Sequence, residues 1–398
     1  MHEPLRWAPL LSNSSRDEAL KVIDKISSDI LSFDPVWRWH GELAYPSSLG
    51  FGDAGLALYF CYRAKILENN RAPRAAFPFL ESALGAINRE WLPYGFRRGG
   101  AGIYWVSSHL AELYPEHVTR ADRHDYDIIL ARWCESSDAP LDFLDGLSGL
   151  FLYLSNHHSL SPSETMAPYL VNRILESPYL ADYQMARPGA DTIIYPDLKD
   201  VVAVVSSLLA IRTVGHTTFT FDGLLIRAVD RLLKEALSAW ALLQNTVAPD
   251  GDITAKGLEC LCIFVCLLNA ARYYARDDWK VAALHAATRL AEWSINKQAW
   301  HSGLASGSTG FAHLFNRLFH ASSNELFAYA ARYWYSQAIC RLPANGIGGF
   351  LAEGIPAIGL LYGTSGVALS LLAAISHTEP DWDQLLLWSL PSRRTATL

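Results

Sequence analysis

Long apolar runs, basic clusters and low-complexity tracts are all missing from this chain of 398 residues. No stretch of about 18 uninterrupted apolar residues could span a bilayer, and the N-terminus lacks the pattern of a secretion signal. The 33 lysine and arginine residues are outnumbered by 40 aspartate and glutamate residues, which gives a net charge of −7 and argues against nucleic acid as a partner. We therefore expect a cytoplasmic protein without a membrane span.

Several catalytic signatures are also absent. The chain has no nucleophile elbow, no phosphate-binding loop and no dinucleotide fingerprint. Its six cysteines are scattered, mostly within apolar segments, which is typical of buried, reduced thiols. Cys260, Cys262 and Cys266 come closest to a metal-binding set, but on a helix only Cys262 and Cys266 share a face, and no histidine is near them. We expect no metal and no cofactor.

A glycine turn directly before an apolar run recurs at intervals of about fifty residues, which is the mark of a repeat architecture. Seven copies start at residues 52, 99, 146, 200, 257, 307 and 363, and we call them turns 1 to 7. Turns 4 and 5 are degenerate, reading Asp-Val-Val-Ala and Gly-Leu-Glu-Cys. The other five each have two glycines three residues apart: Gly52 and Gly55, Gly99 and Gly102, Gly146 and Gly149, Gly307 and Gly310, Gly363 and Gly366.

The sequence around each turn predicts two helices per repeat. The runs after the turns are rich in leucine and alanine, which indicates buried helices, whereas stretches such as 15–31 and 278–295 are amphipathic. Seven such pairs can close into a ring, so we predict an all-α fold, an α/α toroid of about seven inner and seven outer helices. We expect one domain over 1–398, with flexible ends at 1–15 and 391–398. The glycines would allow positive φ and close backbone approach where the inner helices begin, and that end would be the functional face.

The turns and four segments together resemble the LanC family of lanthionine cyclases. The segments are 141–149, 303–315, 361–366 and 381–387, and the resemblance spans roughly 20–390. It implies an α/α toroid that closes thioether rings in ribosomally made peptides, where a cysteine thiol adds to a dehydroalanine or dehydrobutyrine.

This reaction needs a thiolate at neutral pH, although the pKa of a free thiol is about 8.5. In the zinc-dependent members of the family, a metal held by two cysteines and one histidine lowers the pKa of the thiol. This chain reads Ala255, Ala305 and Ser306 at those three positions. Alanine cannot bind a metal and a serine hydroxyl is a poor zinc ligand, so the resemblance predicts a member without a zinc site.

Four residues are candidate catalytic groups. Asp142 lies where the family has a catalytic carboxylate, although an aspartate there could instead cap the turn. Asp145 is the better candidate for that cap, which would leave Asp142 to face the cavity. Lys199 and Lys256 precede turns 4 and 5, and two ammonium groups would supply part of the missing positive charge, unless they are simply solvated. His301 is a reserve acid or base.

Three further residues are candidates for substrate binding. Arg97 and Arg98 precede turn 2 and could meet a substrate carboxylate or an acidic leader peptide, although solvation at the surface is the alternative. Ser306 lies at a vacated ligand position. The expected partners are a precursor peptide with its leader and dehydration enzymes, either a kinase and lyase or a dehydratase.

Two functions remain open. One is a zinc-independent cyclase that positions a thiol beside a dehydroamino acid. The other is a catalytically silent subunit that binds a peptide or acts as a scaffold. A third class, the α/α glycoside hydrolases, would need two opposed carboxylates such as Asp142 with Asp197 or Glu353, but the turns and the C-terminal segment do not suggest it.

Overall fold

The computed structural model describes twelve stretches of the chain and two isolated residues, and every regular element within them is helical. The described residues are 6–32, 45–68, 71–87, 92–136, 139–140, 142, 145–155, 166, 168–173, 198–214, 222–244, 250–299, 301–345 and 358–389. Asp197 and Glu353 lie outside them, as does the predicted flexible end at 391–398.

Thirteen α-helices have defined bounds in this part of the chain, and they alternate between an outer and an inner layer. The outer helices are α1 (Asn13–Ser32), α3 (Phe77–Ile87), α5 (His124–Glu135), α8 (Asp222–Gln244), α10 (Asp277–Ser294) and α12 (Glu325–Asn345). Residues 168–173 are also helical and precede the fourth inner helix. The inner helices are α2 (Asp53–Leu67), α4 (Gly100–Leu113), α6 (Leu150–Ser155, after a 3₁₀ turn at Leu147–Gly149), α7 (Leu198–Val214), α9 (Asp250–Tyr274), α11 (Ser308–Ser322) and α13 (Thr364–Ile375).

The inner helices close into a ring. Each one packs against the next in chain order, from α2 through α4, α6, α7, α9 and α11 to α13, and α13 in turn packs against α2. The outer helices fill the grooves behind them; α3, for example, contacts both α2 and α4. This arrangement confirms the predicted α/α toroid of inner and outer helices.

Burial follows the two layers. Every residue of α13 is buried, as a helix enclosed on all sides requires. Helix α1 instead buries one stripe, at Ala19, Val22, Ile23, Ile26 and Ile30, and exposes its charged face. None of the helices described here is long and apolar enough to cross a membrane.

The five intact turns begin the inner helices as predicted, but for only one of the two reasons we gave. The first glycine of each turn is the N-cap residue, with φ between −126 and −102 degrees, so positive φ is not what the turn requires. What the turn requires is close approach of another backbone segment. A Cβ on Gly52 would overlap the carbonyl oxygen of Pro46, and one on Gly102 would overlap that of Phe96.

The degenerate turns are not turns at all. Helix α7 already begins at Leu198, ahead of Asp200. Helix α9 begins at Asp250 and runs straight through Gly257. On this side of the ring the helices extend past the level at which the intact copies bend, because turn 4 has neither glycine of the pair and turn 5 keeps only the first.

The N-terminal residues correct another expectation. Of the stretch 1–15 that we predicted to be flexible, residues 1–5 lie outside the described residues, whereas Trp7, Leu10 and Leu11 are buried and α1 starts at Asn13. The Trp7 indole donates a hydrogen bond to the Ala373 carbonyl oxygen at 3.1 Å, so this segment is fixed to the C-terminal end of α13. Its apolar side chains find partners in the core, which a reading of charge and propensity alone did not anticipate.

Candidate functional site

Backbone hydrogen bonds tie neighbouring intact turns into one register. The residues two positions before the first glycine are linked in series: Ala305 N–H donates to the Leu361 carbonyl oxygen (2.8 Å), Leu361 N–H to that of Gly50 (3.0 Å), and Gly50 N–H to that of Arg97 (2.9 Å). Turns 6, 7, 1 and 2 therefore lie side by side in that order. We call the end of the toroid that carries them the glycine face.

His301 and Ser306 meet at turn 6 of the glycine face. The Gly303 N–H donates to His301 Nδ1 at 3.1 Å, so in the neutral ring the proton lies on Nε2. Nε2 then donates to the Ser306 hydroxyl oxygen at 3.0 Å. Burial, and secondarily the positive charge of Arg341, lower the pKa of His301 below its ordinary value of 6.5. The pair is thus a neutral imidazole that orients a serine hydroxyl.

An aromatic pair lies on the glycine face at turns 7 and 1. The rings of Phe51 and Tyr362 stack with their centroids 6.0 Å apart, and the Arg97 guanidinium lies 5.1 Å from the centroid of the Phe51 ring. Sequence reasoning missed both aromatics. Each immediately precedes the first glycine of its turn, as Ser306 and Arg98 do, and that shared position was the signal that could have found them.

Both predicted arginines pair with one carboxylate. Arg97 and Arg98 lie 3.2 and 3.5 Å from Asp145, which joins turn 2 to turn 3. Arg97 is only 10% exposed, whereas Arg98 is 37% exposed and lies over the Tyr45 ring at 5.8 Å. Arg98 is therefore the better placed of the two to meet a substrate.

Asp142, and not Asp145, has the role of turn cap that we expected for Asp145. The Asp145 N–H donates to the Asp142 carboxylate at 2.8 Å, so Asp142 is the residue that caps the turn. Asp145, our candidate for the cap, instead pairs with the two arginines. This corrects the assignment of the cap, while a catalytic role for Asp142 stays a prediction.

The two lysines belong to the other side of the ring. Lys256 lies within α9 and its side chain is exposed. Lys199 is part of α7, but its side chain lies outside the described residues. Among the described residues, no hydrogen bond or ion pair joins Lys256 to His301, Ser306 or Arg98.

The residues at the three vacated ligand positions do not fit a zinc ion. Ala255 and Ala305 offer no donor atom, and the Ser306 oxygen already accepts from His301. His301 cannot substitute for them, because its Nδ1 lone pair accepts a backbone N–H. No group of three histidine, cysteine, aspartate or glutamate side chains in the described stretches could hold a metal. Burial raises the pKa of Cys262 and of Cys266 to about 12, so neither thiol is a ready ligand.

Comparison with known proteins shows which fold the chain shares. No family model matches the sequence, and no curated protein matches it. Among solved structures, nisin cyclase is similar, with a TM-score of 0.61 over 94% of this chain and 97% of that one, at 12% sequence identity. The chain therefore has the α/α toroid fold of nisin cyclase, which is the LanC-like fold that its glycine turns predicted.

Proposed function

We propose that this protein is a zinc-independent, LanC-like cyclase. It would form lanthionine or methyllanthionine rings by adding cysteine thiols to dehydroamino acids of a ribosomally made precursor peptide. The observation that carries the proposal is the His301–Ser306 pair, which lies at the turn where the zinc-dependent members have two of their ligands. A precursor peptide with its leader, and an enzyme that dehydrates it, are the partners this function requires.

Ser306 is the residue we assign to the electrophile. When the thiolate sulfur attacks the β-carbon, the double-bond electrons move onto the neighbouring carbonyl oxygen, and the α-carbon later takes a proton. The Ser306 oxygen accepts the Nε2 proton of His301, so its own hydrogen can point at the substrate. A donor aimed at an oxygen that gains charge in the transition state is one of the larger catalytic effects. Here the donor is held in place before the substrate arrives.

The other candidates serve the nucleophile and the peptide. The ammonium groups of Lys199 and Lys256 would favour the thiolate, and Asp142 would act as a base or orient the thiol. Arg98 and the aromatic pair of Phe51 and Tyr362 would hold the peptide on the glycine face. Holding thiol and alkene in one geometry contributes several kcal/mol by removing translational freedom, so the reaction does not depend on a metal alone.

The test is whether the protein changes the product. A dehydrated, cysteine-containing peptide is incubated with and without the purified protein, and the rings are compared by tandem mass spectrometry and chiral analysis. We expect faster closure and a ring pattern or stereochemistry that differs from the spontaneous product. Elemental analysis of the same sample should find no stoichiometric zinc; one equivalent of bound zinc would overturn the metal-free mechanism.

A silent peptide-binding or scaffold subunit is the second candidate. It is favoured by the use of the Asp142 carboxylate as a turn cap and by the position of Lys256, which has no hydrogen bond to the His301–Ser306 pair within the described part of the chain. In that case the peptide would bind, but the rings formed with and without protein would be the same in rate, pattern and stereochemistry.

A further inference from the structure

A cavity opens at the end of the toroid opposite the glycine face. It has a volume of about 940 Å³ and is lined by the last turns of α7, α9 and α11, together with the segments around Trp7 and Trp388. Inner helices rise by about 1.5 Å per residue, so Arg317 in this cavity lies roughly 15 Å along α11 from turn 6. The cavity is therefore separate from the His301–Ser306 pair.

The walls of this far-end cavity are aromatic and held in place. Trp7 stacks on His320 with ring centroids 4.2 Å apart, and its indole nitrogen donates to the Ala373 carbonyl oxygen. Trp388 packs against His313 at 5.6 Å, and its backbone N–H donates to the Asp383 carbonyl oxygen at 3.2 Å. Trp7 and Trp388 are only 8% and 6% exposed, and the Arg317 guanidinium lies 5.0 Å from the centroid of the Trp7 ring, so the two side chains form rigid apolar walls rather than open stacking faces.

Charge in the cavity is not balanced. Of its three lining arginines, Arg317 is bound by Asp383 at 2.6 Å and also pairs with Glu379. Arg6 and Arg272 line the cavity too, and neither has an ion-pair partner among the described residues. Glu379 is the only lining carboxylate in that part of the chain, and Arg317 already engages it. Within the described stretches, the exposed guanidinium groups of Arg6 and Arg272 are therefore left without a counter-charge beside the aromatic walls.

We propose that this cavity binds a small organic dianion, with two carboxylates or one phosphate on an apolar body. Guanidinium groups recognise both anions through paired N–H donors, and the apolar walls contact the body of the ligand. The volume lies in the range of small-molecule sites. A neutral or cationic ligand would leave both charges uncompensated. The site is independent of the proposed cyclase activity.

The test uses two dianions that share a benzene ring, phenyl phosphate and benzene-1,3-dicarboxylate, with neutral benzamide as the control. Isothermal titration calorimetry of the full chain should show binding of at least one dianion, weakened by added salt, and none of benzamide. Binding of phenyl phosphate alone would identify a phosphate ligand, and binding of the dicarboxylate alone would identify a carboxylate ligand.

Variants place the binding in this cavity. Arg272→Gln should weaken it by about tenfold or more, because one charge-assisted hydrogen-bonding group is lost. Arg289→Gln is the matched control, an exposed arginine on the outer helix α10 that does not line the cavity, and it should bind as the unaltered chain does. Far-ultraviolet circular dichroism checks that both variants fold. If neither dianion binds at millimolar concentration, if benzamide binds equally well, or if Arg272→Gln has no effect, the proposal is wrong.

Discussion

The two sides of the ring solve the same packing problem differently. Turns 1, 2, 3, 6 and 7 bend at a glycine N-cap, and the backbone bonds that link turns 6, 7, 1 and 2 set their register. Turns 4 and 5 have lost the bend, so α7 and α9 start earlier and continue as helix. At the glycine face, the intact side carries the His301–Ser306 pair, the aromatic pair and the arginines, whereas the decayed side carries the two candidate lysines, of which Lys256 is exposed.

This difference shows that the glycines fix the backbone of the turns and take no part in the chemistry themselves. Where they are kept, residues just before a turn are fixed beside their equivalents in the next repeat, and side chains can be aimed. Where they are lost, the helix still packs into the ring, as the contacts of α9 with α7 and α11 show. The toroid therefore tolerates decay on one side without opening.

The largest expected effect is the loss of stability when a methyl group is added at an intact turn. The Cβ of Gly102→Ala would overlap the Phe96 carbonyl oxygen, which is backbone and cannot rotate away. We expect a loss of about 3 kcal/mol in the free energy of unfolding. Gly257→Ala is the control on the decayed side, because its Cβ would lie 3.0 Å from the Trp293 ring and 3.2 Å from Phe311, and alanine favours helix. Its effect should stay within about 1 kcal/mol. Urea denaturation measures both, and equal losses would contradict the contrast.

The next largest effect concerns the chemistry of the intact side. Ser306→Ala removes the hydroxyl that His301 orients, and we expect the protein-dependent rate of ring closure to fall about 100-fold. Ser336→Ala is the matched control, since Ser336 is exposed on the outer helix α12. Single-turnover cyclisation followed by mass spectrometry measures both rates. A Ser306→Ala rate equal to that of the control would remove Ser306 from the mechanism.

The sequence predicts the fold of this protein better than it predicts the contacts of the candidate site. The repeat interval and the apolar runs predict the helices, their layers and the closed ring, because burial on all sides leaves a clear pattern. The contact between His301 and Ser306 was not predicted, although both residues were named, since five residues of loop can place two side chains together or apart. The exchange between Asp142 and Asp145 was missed for the same reason: either carboxylate could cap the turn, and only the arginines of the preceding repeat decide which one does.

Removing a positive charge on the decayed side should have a smaller effect on the rate of ring closure. If Lys256 supplies positive charge to the proposed cyclase reaction, Lys256→Ala should slow ring closure by about fivefold, a modest effect because its exposed ammonium group is screened by solvent. Lys234→Ala is the control, an exposed lysine on the outer helix α8. The loss should shrink as salt is added. Equal rates for the two variants would mean that the intact side works without help from its neighbour.

The smallest expected effect is on the pH dependence of stability. His301 has a lowered pKa in the folded chain, so the unfolded state binds its proton more readily. Its contribution to stability is full above the ordinary value of 6.5 and is lost as pH falls from there towards the folded pKa. The protonated ring would also point Nδ1–H at the Gly303 N–H, which explains why this turn resists the charge. Burial lowers the pKa values of His313 and His320 as well, so the unaltered chain should weaken on acidification from several sites. Comparing urea midpoints at about pH 7.5 and pH 5.5, His301→Gln should lose less stability than the unaltered chain, and an identical loss would show that the intact turn does not hold His301 neutral.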